Sequence, residues 1–191
     1  MAENSREGIC GNTAAWRRFV PPAGFVLALM LLVVFCYDAS YSALPPTEKR
    51  YVKAKRDIDA LKADAKRANL RQPWEDLIRE FREIYESDPA WPNRPAALFR
   101  AAESLEELSH RSYRATDMRK AVAWYEDVAA SHPKSCLADD ALYRAAQMRA
   151  VWLRDDAGAL TLLRRIQKKY PDGDMAGDAA AFERVITAAG K

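Results

Sequence analysis

The sequence predicts an all-α fold, an α-solenoid of stacked antiparallel helical hairpins with about seven helices after an N-terminal apolar segment. Three observations carry this expectation. Apolar residues recur at spacings of three and four along most of the chain. Glycine is scarce, at 7 of 191 residues, and no stretch alternates with period two, which argues against strands. Above all, the pattern repeats itself around three prolines, Pro89, Pro133 and Pro171.

The elements follow in order. Residues 1–18 are polar and end in Arg17–Arg18, the mark of a cytoplasmic n-region. Residues 19–37 carry no charge and include FVLALMLLVVF at 25–35. Nineteen such residues could just cross a hydrocarbon core of ~30 Å. Pro21 and Pro22 shorten the strongly apolar part, which also fits the h-region of a signal peptide, so cleaved leader and uncleaved membrane anchor both stand. Either one sends the rest of the chain across the membrane. Residues 38–47 (DASYSALPPT) read as a linker, with Thr47 as the N-cap of the next helix.

Residues 48–72 read as one basic amphipathic helix. Tyr51, Ala54, Ile58, Leu61, Ala65 and Ala68 form its apolar face, and nine basic against four acidic residues give it a local excess of +5. Such a face can attract anionic lipid or an acidic polymer, although charge runs are mostly solvated surface. From 73 to 191 a helical repeat domain is expected, starting with a helix from Trp74 to about Ser87 that Asp88–Pro89 ends.

The repeat is read from the prolines. Eight residues before each stands a large apolar side chain (Phe81, Tyr125, Leu163), and five before a branched aliphatic (Ile84, Val128, Ile166). Two further offsets before the proline give Ile78, Val122, Leu160 and Leu77, Ala121, Ala159. Eight after each is alanine (Ala97, Ala141, Ala179), and nine after come Leu98, Leu142 and Ala180. Small residues belong where two helix backbones cross closely, large ones in the hole beside them, and the proline ends the second helix of each unit. One hairpin cannot bury its own apolar face, so neighbours must stack.

The segments AVAWYEDVAASHPKSCLADDALYRAA and ALTLLRRIQKKYPDGDMAGDAA resemble tetratricopeptide repeats, in particular the looser variety of BamD-like and YbgF-like periplasmic proteins. The resemblance implies a non-catalytic scaffold for protein–protein interaction, here in the periplasm or held to the inner membrane through residues 19–37, serving cell-wall or outer-membrane machinery. Residues 48–188 also resemble the non-catalytic N-terminal region of secreted N-acetylmuramoyl-L-alanine amidases of sulfate-reducing bacteria. The sequence stops at Lys191, where that family's amidase domain would begin. The alternative reading is therefore an accessory module of a peptidoglycan amidase system, with peptidoglycan as a possible ligand.

In tetratricopeptide repeats the first helix of each hairpin lines a concave groove. That likeness maps the groove to Asn93, Ala96, Arg100 and Glu103 in one unit, and to Leu137, Asp140, Arg144 and Gln147 in the next. Arg100 and Arg144 become equivalent, and two stacked guanidinium groups suit the carboxylates of an acidic or C-terminal peptide. The plainer reading is that both pair with Glu103, Asp140 or another neighbour.

Other functions find little support. A net charge of +3 is too small to argue for nucleic acid. His110 and His132 each stand alone in a polar context, as solvated surface residues without metal-ligand spacing. Only Cys136 would remain of Cys10, Cys36 and Cys136 after cleavage, too few for a disulfide. Asp139–Asp140 point apart and suit the first turn of a helix. Ser109 and Ser112 lie too close to His110 in sequence to build a triad. No enzyme, metal site or cofactor is expected.

Overall fold

A computed structural model of the protein describes residues 44–189. The expected n-region, apolar segment and most of the linker, at 1–43, lie outside the described residues. Among the described residues there are helices and no strand. None of these helices is long and apolar enough to cross a membrane.

The first helix, α1, spans Pro46–Ala63. Thr47 is not its N-cap. Pro45 takes that position and Pro46 the first helical one, because the fixed φ of proline already suits the helix start. The expected basic helix of 48–72 is also not continuous. Asp64 turns extended (φ −96°, ψ 93°), and its carboxylate accepts from the backbone N–H of Lys66 and Arg67, both at 3.1 Å, which caps a separate four-residue helix α2, Ala65–Ala68. Tyr51, Ala54, Ile58 and Leu61 are buried as expected, but beyond the break Ala65 is exposed. Helix α3 spans Arg71–Ser87 and so begins ahead of Trp74. Pro73 falls in its first turn, where a missing N–H removes no helical bond.

The hairpins continue with α4 (Arg94–Ser112), α5 (Ala115–Ser131), α6 (Ala138–Gln147), α7 (Asp156–Lys169) and α8 (Ala176–Ala189). A π-helical turn, Met148–Trp152, extends α6. Helices α3, α5 and α7 end at the residue two before Pro89, Pro133 and Pro171, because the residue just ahead of a proline is pushed out of the helical region. The short α2 makes eight helices among the described residues against the seven expected.

The main contacts run between chain neighbours: α1 on α3, α3 on α4, and so on to α7 on α8. The repeat offsets hold in the core. Phe81, Tyr125 and Leu163 are fully buried, as are Ile84, Val128 and Ile166, and Ala97, Ala141 and Ala179. At the C-terminal end the register changes chemistry. Where α4 and α6 bury Ala101, Ala102, Ala145 and Ala146, α8 carries Glu183 and Arg184. Glu183 is tied to Arg164 (2.7 Å) and Gln167 (2.7 Å) of α7, and Arg184 is exposed. At this step α8 therefore carries charge where α4 and α6 carry buried alanine.

Antiparallel succession places the turns in two rows. Arg71, at the start of α3, binds Asp117 at the start of α5 (2.7 Å), and Ser112, at the end of α4, reaches the same carboxylate (3.1 Å). At the other edge Trp91 Nε1 donates to Glu48 (2.8 Å), while Tyr85 near the end of α3 meets His132 at the end of α5.

Candidate peptide-binding groove

Helices α1, α4 and α6 are first helices of successive hairpins, and their side chains meet in a charged belt. Glu103 and Glu107, one turn apart on α4, both bind Lys62 of α1 (3.0 and 3.3 Å). Glu103 is also paired with Arg100, and Glu107 with Arg111 at 2.6 Å. Burial raises the Tyr51 pKa, and the nearby charge of Arg100 opposes that rise. Burial alone would raise the carboxyl pKa of Glu103, but Arg100 and Lys62 hold it below the ordinary value. Burial acts likewise on Glu107, and Arg111 and Lys62 overcome it.

The next pair of hairpins repeats the arrangement with different partners. Glu106 is 7% exposed and accepts from the buried hydroxyl of Tyr125 at 2.6 Å. Burial, followed by the charge of Glu106, pushes the Tyr125 pKa well up, so the phenol stays a donor. Arg144 of α6 approaches Glu106 at 3.5 Å, the long end of a hydrogen bond, and is about half exposed.

Of the residues mapped from the sequence, Arg100, Glu103 and Arg144 come together in this belt. Arg144 makes its contact with Glu106 rather than with Asp140. Asn93 is elsewhere: it is the N-cap position of α4, exposed, with Nδ2 donating to Glu48 at 3.3 Å at the edge of the stack. Gln147 is half-buried at the end of α6. Asp140 lies in the first turn of α6, as Asp139 does, one turn before Arg144, whose charge it feels without a direct ion pair. Burial and the charges of Asp174 and Asp139 raise its pKa. Asp139, Asp140 and Asp174 offer oxygens within 4.8 Å of one another, the one carboxylate cluster of metal-ligating spacing among the described residues. Asp139 already serves the fold there, accepting from Met175 N at 3.4 Å.

Sequence reasoning missed Lys62, Glu106 and its bond to the Tyr125 hydroxyl, and the surroundings of the histidines. Neither histidine is a freely solvated surface group. The His110 ring stacks on Trp152 (centroids 4.7 Å apart), and its Nε2 is buried, 4.0 Å from Glu106 and without a hydrogen-bond partner. His132 packs edge-on to Tyr85, 3.3 Å from its hydroxyl, and burial together with Arg94 lowers its pKa. In both cases the covering ring comes from a neighbouring hairpin, which no local pattern announces. Nor do the serines address His110: Ser109 donates to the Glu106 carbonyl (2.7 Å) and Ser112 to Asp117.

The tetratricopeptide repeat family matches residues 96–135 and 140–173, the hairpins α4–α5 and α6–α7. No curated protein matches the chain. The fold is a tetratricopeptide-like α-solenoid, with two such repeats matched over these hairpins.

Proposed function

We propose that the protein is a non-catalytic scaffold of the bacterial envelope that captures an acidic or C-terminal peptide segment of a protein partner in the groove over α4 and α6. One observation carries the reading. Lys62, Arg100 and Arg111 hold close pairs with Glu103 and Glu107, whereas Arg144 has one long contact, 3.5 Å to Glu106. An incoming carboxylate can take the guanidinium of Arg144 in bidentate fashion without breaking a strong pair. The match to tetratricopeptide repeats supports a protein as the partner.

The test compares envelope proteins captured by the chain and by its Arg100→Ala, Arg144→Ala double variant. A partner bound by the first should be lost from the second by roughly tenfold or more in affinity, since charge-assisted pairs at an interface each carry well over 1 kcal/mol. The double variant should keep its helicity but melt lower, because Arg100 offsets the burial of Glu103 and Arg144 stands beside the buried Glu106, so capture is compared at a temperature where both chains are fully folded. Equal capture would move the site to the basic stretch from Lys49 to Arg67. Capture of a peptidoglycan amidase would favour the accessory-module role.

The envelope location is supported by Arg17–Arg18 and the apolar run after it. A reporter that is active only in the periplasm, fused after Lys191, should be active. Activity confined to a cytoplasmic reporter would overturn the envelope reading.

A further inference from the structure

The two rows of turns differ in chemistry. Five large apolar side chains are exposed among the described residues: Leu70 (57%), Tyr113 (77%), Val151 (51%), Trp152 (43%) and Val185 (63%). The first four share one edge of the stack, in the turns that follow α2, α4 and α6. Each turn pairs its apolar tip with exposed cations: Lys66 and Arg67 near Leu70, Arg114 beside Tyr113, and Arg154 close to Trp152. The carboxylates of this edge are mostly engaged. Asp64 caps α2, Asp117 binds Arg71, and Asp155 both caps α7 and binds Arg149, leaving Asp156 exposed. The opposite row of turns exposes no large apolar side chain, and its cations, Lys134 and, at the end of α7, Lys168 and Lys169, stand with the exposed Asp172 and Asp174 instead of with apolar tips.

The backbone of this edge is unusual as well. Tyr113 (φ 51°) and Arg154 (φ 56°) are the two non-glycine residues of the described chain in the left-handed region, one in each of successive turns. Glycine would sit there without strain, yet a large amphipathic or charged side chain is held outward instead. Between them the π-turn at the end of α6 carries Val151 and Trp152 to the surface, a local irregularity common at functional sites.

We infer that this edge is a docking surface for an anionic lipid bilayer. Isolated apolar and aromatic tips with arginine or lysine beside each are the chemistry of a membrane interface, where rings sit at headgroup depth and cations meet phosphates. An amphipathic partner helix would call for a continuous apolar groove, whereas here the tips stand apart, one group per turn. The charge imbalance selects anionic over zwitterionic lipid. The surface is distinct from the peptide groove, so one face can hold a partner while the other rests on lipid.

The full chain provides the test, with a readout local to the edge because Phe19–Tyr37 is expected to enter any bilayer. The chain and its Trp152→Phe variant are bound to vesicles of brominated phosphatidylglycerol or brominated phosphatidylcholine, and their emission difference isolates Trp152. Trp152 should be blue-shifted and quenched severalfold in the anionic vesicles and remain bright in the zwitterionic ones. Reversing Lys66, Arg67, Arg114 and Arg154 to glutamate should reduce the fraction of quenched Trp152 by roughly tenfold or more, with the melting midpoint kept. A Trp152 equally bright in both vesicles would overturn the proposal and leave the edge to a protein partner. Quenching that survives charge reversal would overturn it too, since anionic lipid would then not be what is recognised.

Discussion

Replacing Trp74 by alanine is expected to lower stability by about 3–5 kcal/mol, the largest loss of any single truncation in the first hairpin. The indole is fully buried, and its Nε1 donates to the Ala68 carbonyl at 2.8 Å. That bond holds the last residue of α2 against α3. Arg111 of α4 covers the ring from 4.7 Å. Truncation would open a cavity where α2, α3 and α4 meet and leave a carbonyl without its partner. Urea unfolding followed by helical circular dichroism measures the effect. Trp74→Phe keeps most of the volume and loses the hydrogen bond, so it should cost roughly half as much. A midpoint indistinguishable from the parent in Trp74→Ala would mean that the corner is not packed in solution.

Ala141→Leu should cost about 1–3 kcal/mol through overpacking, and Ala141→Ser much less. Ala141 is fully buried at the same step of the repeat as Ala97 and Ala179, where the first helix of a hairpin crosses its neighbours. Three added carbons have no void to enter, whereas a hydroxyl can bond the carbonyl one turn back, as Ser104 Oγ does to Arg100 O at 2.8 Å. An unchanged thermal midpoint for the leucine variant would refute the register of the stack.

The residues that were legible in the sequence are those whose neighbours are fixed by periodicity. The proline offsets located Phe81, Tyr125 and Leu163 because a helix hairpin brings the same steps together in every unit. The groove was only partly legible. Arg100 and Glu103 are three residues apart on one helix, so their pairing is local. Arg144 instead found Glu106, because the rise and rotation between hairpins decide which turn of α4 faces it, and the sequence does not print that geometry. Asn93 fell outside the groove since the counting scheme began before α4 does. The break at Asp64 was missed because apolar spacing runs through it, while its signal is the capping chemistry of a single aspartate. The aromatic and cationic edge was invisible for a related reason: Leu70, Tyr113 and Trp152 belong to different turns and become one surface only when the stack is formed.

The order in which helices touch has a kinetic consequence. Each main contact links an element to the next along the chain, and the loops to be closed span a few residues. Closing such short loops costs little entropy, so the barrier to assembly is low and no distant segment has to arrive first. A chain of this kind can zip from one end, hairpin by hairpin, while later helices are still unfolded. The last step of that process differs in kind, because α8 is tied to α7 through Glu183, Arg164 and Gln167 at the place where α4 and α6 bury alanine.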